Sequence, residues 1–556
     1  MQQINSSKNK FMNDVGIILL SQLAVKILGL IYRIVITNIE GFGDSGNGFY
    51  TTGFQIYTLL LAISSVGIPN AISKMISERT ALKDYSGAHR IFKTALILFC
   101  FIGLFCSALL YSFAGIISTY VIGLADVKAT IQSLAPSIFF VCISSVIRGY
   151  FTGLQNMKAT STSQILEQIF KSTLTIVFVI MAVGQTPSVM SAVANLATSV
   201  STVLSFAYLL IFYKKNKPVF EKTKTENTLK NVSVRTIAKS ILMLSIPISL
   251  GSIITAINRI VDTATITRGI RIAFETVIPA YGNTSAIFNP TLKQLEAEAA
   301  RLAGMLGKSD TLINMPLSLN IAFSTVLVPA ISRALALGNK KDAANKVNYS
   351  FLISILLILP CCMGYIVLAQ PIYKLIYPNA SLGASLLQLS SIALIFTALN
   401  QTISGSLQGL GKVYVPATGL LIGCLVKIIL NIILIRIPEI NIYGAAISSI
   451  VCQIISFSYC FTILTKNLPL KMSLKKYIIK PLISNGLMGI VAFLTYTIII
   501  KLTSINLIAI TFSIGIAAVF YVVTILKLNV LTNDEIEQLP AGITLLKVFK
   551  KLNLIN

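Results

Sequence analysis

The chain has 556 residues, of which 55% are hydrophobic and only 12% charged, yet its formal net charge is +26. A soluble domain carries about 25% charged residues, so this composition, with a mean hydropathy of +0.81, describes a polytopic membrane protein. Continuous apolar runs exclude a β-barrel, whose strands alternate over ~10 residues, and no aqueous segment is large enough to present a nucleic-acid surface.

Runs of about 20 apolar residues, enough to cross a ~30 Å hydrocarbon core, predict about fourteen transmembrane helices and an all-α fold. They fall at 14–38, 48–77, 91–118, 130–154, 159–183, 188–213, 237–264, 311–337, 347–370, 385–410, 414–436, 440–465, 478–500 and 504–526. The first run is too long for a signal-peptide core and lacks a small-residue cleavage site, so it is expected to stay as a helix. The polar breaks alternate between basic and nearly bare. Lys8 and Lys10, Arg79 to Lys93, Lys214 to Lys239, Arg333 to Lys346 and Lys466 to Lys480 fill one class; Glu40 and Asp44, or a lone Lys374, Arg436 or Lys501, mark the other. The positive-inside rule then places both termini in the cytoplasm. The eight cysteines lie in apolar runs without metal-ligand spacing, and His89 is the one histidine. A multi-histidine metal site is therefore excluded, and no metal is expected.

The chain resembles itself. Ile31-Tyr32-Arg33-Ile34-Val35 is similar to Ile257-Asn258-Arg259-Ile260-Val261; Pro69 with Ile72-Ser73-Lys74 matches Pro329 with Ile331-Ser332-Arg333; Gly149, Gly153, Leu154 and Lys171 match Gly405, Gly409, Leu410 and Lys427. The offsets are 226, 260 and 256 residues. The expected organisation is two parallel six-helix bundles, 1–213 and 237–465, joined by a basic linker at 214–236. Two more helices at 466–527 and a cytoplasmic amphipathic tail at 528–556 follow. The growing offset places an insertion near 265–310, where Leu295 to Gly304 favours a helix. Parallel repeats of this kind build transporters with the substrate site between the halves.

Setting aside the residues of the polar breaks at the span ends, seven basic residues fall within the predicted spans, against Glu167 and Asp262. Lys74 and Arg148, near cytoplasmic ends, are expected to snorkel to the interface, and Arg333 lies at such an end too. Lys26, Arg33, Lys171, Arg259 and Lys427 lie deeper. Each costs about 3 kcal/mol facing lipid at mid-membrane, so together they would cost on the order of 15 kcal/mol and should face an interior cavity. Gln22, Lys26, Gly29 and Arg33 share one face of the first helix, and Ser252, Thr255, Arg259 and Asp262 share one face of the seventh. Glu167 and Lys171 are spaced for an i, i+4 ion pair, and Asp262 lies one turn from Arg259. The cations suit an anionic headgroup, because arginine grips phosphate oxygens with paired hydrogen bonds.

The stretch Ile63-Ser64-Ser65-Val66-Gly67-Ile68-Pro69-Asn70-Ala71-Ile72-Ser73-Lys74, the segments Asn314-Met315-Pro316 and Leu327-Val328-Pro329-Ala330-Ile331-Ser332-Arg333, and the tail Leu531 to Pro540 carry a family likeness. They resemble the stage V sporulation protein B and MurJ-like branch of the polysaccharide transporter family, within the multidrug, oligosaccharidyl-lipid and polysaccharide exporter superfamily. The resemblance implies a V-shaped two-bundle fold with a central cavity and alternating access. It implies a flippase for an undecaprenyl-diphosphate-linked sugar such as lipid II, serving peptidoglycan or spore-cortex synthesis beside the cell-wall machinery. It also implies that Lys26, Arg33 and Arg259 are cavity cations. The insertion, with Tyr281 to Ser285 and Lys293 to Glu296, is longer and more polar than the family pattern.

No cofactor is expected. Coupling to the membrane potential is open, as is a proton or sodium ion on Glu167 or Asp262, and a monomer is expected to suffice. A drug or organic-cation exporter of the same superfamily would want carboxylates in place of these cations. A polytopic glycosyltransferase would need an aqueous catalytic loop, for which Glu275, Glu296 and Glu298 are candidate acids in the insertion. In the tail, Thr532 and Glu535 are spaced as a capping box, and Leu545, Leu546, Val548, Phe549 and Leu552 among Lys547, Lys550 and Lys551 predict an interfacial helix.

Overall fold

The structure is a computed structural model that describes residues 24–62, 67–216, 233–280, 285–470, 472–537 and 542–552. It is helical almost throughout. The helices are α1 (24–37), α2 (Gly43–Ala62), α3 (Ile68–Ala81), α4 (Tyr85–Ile116), α5 (Lys128–Gly153), α6 (Met157–Met181), α7 (Pro187–Asn216) and α8 (Val234–Ala273). After a two-stranded hairpin follow α9 (Leu292–Ala336), α10 (Lys340–Ile376), α11 (Ala384–Gly409), α12 (Tyr414–Leu434), α13 (Ile442–Asn467), α14 (Lys480–Thr503) and α15 (Asn506–Lys527). The tail holds α16 (Asn533–Glu537) and α17 (Gly542–Lys551).

Among the described residues ten helices are long and apolar enough to cross a membrane, and an eleventh is the bent pair Val234–Ile246 and Ser249–Ala273, which turns by 53°. Three of the fourteen expected spans do not appear as such. The first is described only from residue 24, the second is described as α2 and α3 with residues 63–66 between them outside the described ones, and the eighth lies inside the long α9.

The chain divides into two compact units. One comprises Met1–Gly307 with Asn431–Ile442, and the other Lys308–Leu430 with Tyr443–Asn556. By these contacts α8 belongs with α1 to α7, whereas the sequence boundary at 237 would have put it with the second bundle.

In the first unit α5 is the central helix, buried on most of its surface. Small residues let its neighbours approach closely, which is how helices associate where lipid removes the hydrophobic drive. A Cβ on Gly149 would lie 2.8 Å from the Pro69 carbonyl oxygen, and one on Gly153 would lie 2.9 Å from both Ile76 and the Ser73 carbonyl. The second unit makes the same contact: a Cβ on Gly405 would lie 2.6 Å from the Ser324 carbonyl, and one on Gly409 2.9 Å from Ile331 and 3.0 Å from the Val328 carbonyl. The internal repeat is thus real in three dimensions, but its register differs from the sequence match. Pro69, Ser73 and Ile76 correspond to Ser324, Val328 and Ile331, so Pro69 is about one helical turn out of step with Pro329.

The insertion opens with a short strand pair and ends in a helix. Val277 and Ile278 pair antiparallel with Phe288 and Ile287, and the helix expected at 295–304 is the opening of the 45-residue α9. Thr291 and Gln294 cap it reciprocally, Thr291 N donating to Gln294 Oε1 at 2.8 Å and Gln294 N to Thr291 Oγ1 at 3.4 Å. These first turns pack on α2: Asn47 Nδ2 donates to the Gly304 carbonyl at 2.8 Å, and Gly48 and Gly304 each lie against the facing backbone, of Ala300 and Asp44. Glu296 is ion-paired with Arg271 and Glu298 with Arg301 at 2.7 Å, so two of the three candidate acids of the insertion are paired.

In the second unit, the capping box at the tail is present. Thr532 N donates to Glu535 Oε2 at 2.9 Å and Glu535 N to Thr532 Oγ1 at 3.3 Å. Glu535 also pairs with Lys476 at 2.7 Å, tying the tail to the start of the fourteenth helix's π turn at Lys475–Ile479. The α17 helix docks Leu546 on Leu526 and Ile536, while Val548 and Leu552 are exposed. Its apolar face is therefore shared between the protein and its surroundings.

Two outcomes follow from these contacts. Gly48→Val is expected to destabilise by at least the ~1–3 kcal/mol of an overpacked core, read as a lowered melting temperature of the purified protein, whereas Gly486→Val, with open space around it, should leave it unchanged. Glu535→Gln, which removes a charge-assisted bond worth about 1.5–3 kcal/mol, should make the segment after residue 530 more sensitive to limited proteolysis.

Candidate functional site

The predicted cation face of α1 exists as far as it is described. Lys26 and Arg33 are separated by two turns, with Gly29 between them approaching Gln168 of α6 at 3.6 Å from its Cβ position; Gln22 lies outside the described residues. Lys26 and Arg259 are both exposed and repel one another electrostatically, so the cations of α1 and α8 share one neighbourhood.

Arg33 is held by aromatic and hydroxyl groups of α2. Its guanidinium carbon lies 5.2 Å from the Tyr50 ring centroid, and Nη2 donates to Thr51 Oγ1 at 3.4 Å. Tyr50 and Tyr32, both buried, join hydroxyl to hydroxyl at 2.9 Å. One turn along α2, Phe54 stacks parallel to Tyr50, with centroids 6.0 Å apart and planes 8° apart. Lys171 of α6 reaches this ladder from the other side: its Nζ is 4.2 Å from the Phe54 centroid and 5.9 Å from that of Tyr32. Tyr50 and Phe54 present one face because they are four residues apart. A charge on a ring of this kind is attracted by the quadrupole and is not cancelled.

Two expectations about charge are corrected here. Glu167 does not pair with Lys171; it accepts from Arg148 Nη2 at 2.6 Å. Nor does Arg148 snorkel. It is 8% exposed and also donates from Nε to Ser163 Oγ at 3.0 Å and from Nη2 to Ser205 Oγ at 3.1 Å, binding α5, α6 and α7 together. A planar guanidinium with five donors can serve three helices at once, and in doing so it takes the one acid that Lys171 might have used.

Asp262 accepts from Asn431 Nδ2 at 3.1 Å, and the same amide donates to Thr265 Oγ1 at 2.8 Å. The Asn431 carbonyl oxygen is buried without a hydrogen-bond partner. Thr263 of α8 donates to Gln55 of α2, linking the two helices that carry the ladder and Arg259.

The remaining predicted residues lie elsewhere. Lys427, on α12, belongs to the second unit, is 2% exposed and is engaged by neighbouring groups, so it does not stand as an open, uncompensated cation. Lys74 on α3 and Arg333 in the last turn of α9 are exposed. Among the described residues no three His, Cys, Asp or Glu side chains converge as a metal site. Sequence reasoning missed Tyr32, Tyr50, Thr51 and Phe54. The signal was present in the Tyr50, Phe54, Tyr57 helical spacing opposite a charged α1, but such a stripe ordinarily reads as core.

Residues 11–335 match the family model described as polysaccharide biosynthesis protein, and residues 299–529 match the model for lipid II flippase MurJ. The chain is 24% identical to lipid II flippase MurJ of Bacillus subtilis over 502 residues, covering 87% of this chain and 88% of that protein. It is 22% identical to stage V sporulation protein B of the same organism over 536 residues, covering 96% and 98%. Among solved structures it is similar to lipid II flippase MurJ in an inward closed conformation, with a TM-score of 0.66 at 16% identity over 91% of this chain and 97% of that one. It is also similar to an inward-facing multidrug resistance MATE family transporter of the MOP superfamily, with a TM-score of 0.61 at 14% identity over 81% and 98%. The fold is therefore the one seen in the MurJ and MATE structures, and the chain, a multi-pass membrane protein by its apolar helices, belongs to the polysaccharide biosynthesis protein family.

Proposed function

We propose that the chain is a flippase that moves an undecaprenyl-diphosphate-linked sugar precursor, lipid II foremost, from the inner to the outer leaflet for peptidoglycan or spore-cortex synthesis. The observation that carries this reading is the cluster of Lys26, Arg33, Lys171 and Arg259 in the first unit, with Lys171 resting on rings while Glu167 is spent on Arg148. Neighbouring cations attract an anion, and arginine favours phosphate oxygens. The names of the relatives point the same way.

The chain is read with both termini cytoplasmic, from its basic breaks. A cargo moving outward with about two negative charges would gain ~2.3 kcal/mol per charge per 100 mV of inside-negative potential, so voltage can drive export. Asp262 and Glu167 are the acids on which a proton or sodium ion would act if the cycle is ion-coupled. A multidrug exporter would need this charge reversed, and a cationic drug would be repelled.

Arg33→Ala and Arg259→Ala are expected to reduce lipid II flipping in reconstituted vesicles at least tenfold each, the loss of a charge-assisted contact of about 1.5–3 kcal/mol, while membrane insertion stays intact. Unchanged flipping in both variants would falsify the assignment of the cluster. Arg148→Met should also lower flipping, because it leaves Glu167 free to neutralise Lys171; adding Glu167→Gln to Arg148→Met should recover most of the activity, since removing both members of a buried pair is far milder than removing one.

A further inference from the structure

Phe54 makes the tightest cation–ring contact of the cluster. Its centroid is 4.2 Å from Lys171 Nζ, against 5.9 Å for Tyr32 to the same amine and 5.2 Å for Arg33 to Tyr50. The ring is itself fixed by parallel stacking on Tyr50 and by a tilted contact with Tyr57 at 5.5 Å, both on the same helix. Lys171 stands four residues from Glu167, the spacing of a helical ion pair, yet that carboxylate is bound to Arg148. A carboxylate would hold the ammonium in place and cancel its charge. A ring holds it through the quadrupole and leaves the full charge available to an incoming anion.

We propose that Phe54 is a positioning residue of the anion site: its ring holds the Lys171 ammonium in place without neutralising it, and so raises the affinity of the site for a diphosphate. This rests on the reading that the cluster takes an anionic headgroup. The effect passes through Lys171 and not through packing alone, which gives it a signature that a structural role would lack.

The test uses the full-length purified protein in detergent and measures inorganic pyrophosphate binding by calorimetry. Phe54→Leu is expected to bind about five- to tenfold more weakly, the range of a partly desolvated cation–π contact, and Phe54→Tyr, which keeps the ring, to stay within about twofold of wild type. In a Lys171→Met background, Phe54→Leu should cost nothing further, since a contact cannot be lost twice. Phe54→Met, a second ringless variant, is measured beside Phe54→Leu so that misfolding of one leaves the cycle complete. Wild-type affinity in the ringless variants, or an equal loss with and without Lys171, overturns the proposal while leaving the anion site standing. A wild-type protein that binds no pyrophosphate removes the anion reading itself, and the proposal with it.

Discussion

The expense of placing a positive charge among hydrocarbon governs this protein. A lysine or arginine at mid-membrane costs about 3 kcal/mol or more unless something receives it, and the chain carries more such residues than it has acids to match. The first unit meets that cost in two distinct ways. Arg148 is sunk into α5, α6 and α7 with Glu167, Ser163 and Ser205 around it. Arg33 and Lys171 are set against tyrosine and phenylalanine rings of α2. The first arrangement spends its charge on the fold. The second, at Lys171, stabilises a charge on rings without spending a carboxylate on it.

These arrangements depend on one another. Glu167 and Lys171 are neighbours on α6, and nothing in helical geometry forbids their pairing. Arg148 prevents it by offering the carboxylate a closer and more extensively bonded partner, in a setting where several hydrogen bonds converge. Close helix packing makes that convergence possible: Gly149 and Gly153, beside Arg148 on α5, let α3 approach backbone to side chain, and the same contact recurs at Gly405 and Gly409. The internal repeat is thus first a packing rule. The ring-held cations are not repeated with it, since Lys427, the sequence counterpart of Lys171, is buried and engaged in the second unit.

Much of this was legible before any coordinates. Hydropathy located the spans because a helix that satisfies its own backbone is the only open-ended element that crosses lipid. The shared face of Lys26 and Arg33 follows from helical periodicity, and the Thr532 and Glu535 capping box from local spacing. Features that depend on three helices meeting were not legible. The burial of Arg148 is one, because a cation near a helix end reads from its own helix as a snorkelling residue. The aromatic ladder is another, because an apolar stripe does not announce which charge will lie on it. The helical propensity of Leu295 to Gly304 was legible, but not that these residues belong to a single helix that runs for 45 residues; composition marks helix propensity but not where a helix ends. The proline pairing slipped by a turn because a short sequence match carries no contact information.

The central claim is that uncancelled cations select an anionic lipid headgroup. The most direct measurement compares, in vesicles holding the full-length protein, the flipping of an undecaprenyl-diphosphate-linked sugar with that of the same prenyl chain bearing a neutral sugar headgroup. The account predicts protein-dependent flipping of the diphosphate-linked lipid, inhibited by added pyrophosphate, and little of the neutral one. Equal flipping of both, indifferent to pyrophosphate, would contradict it.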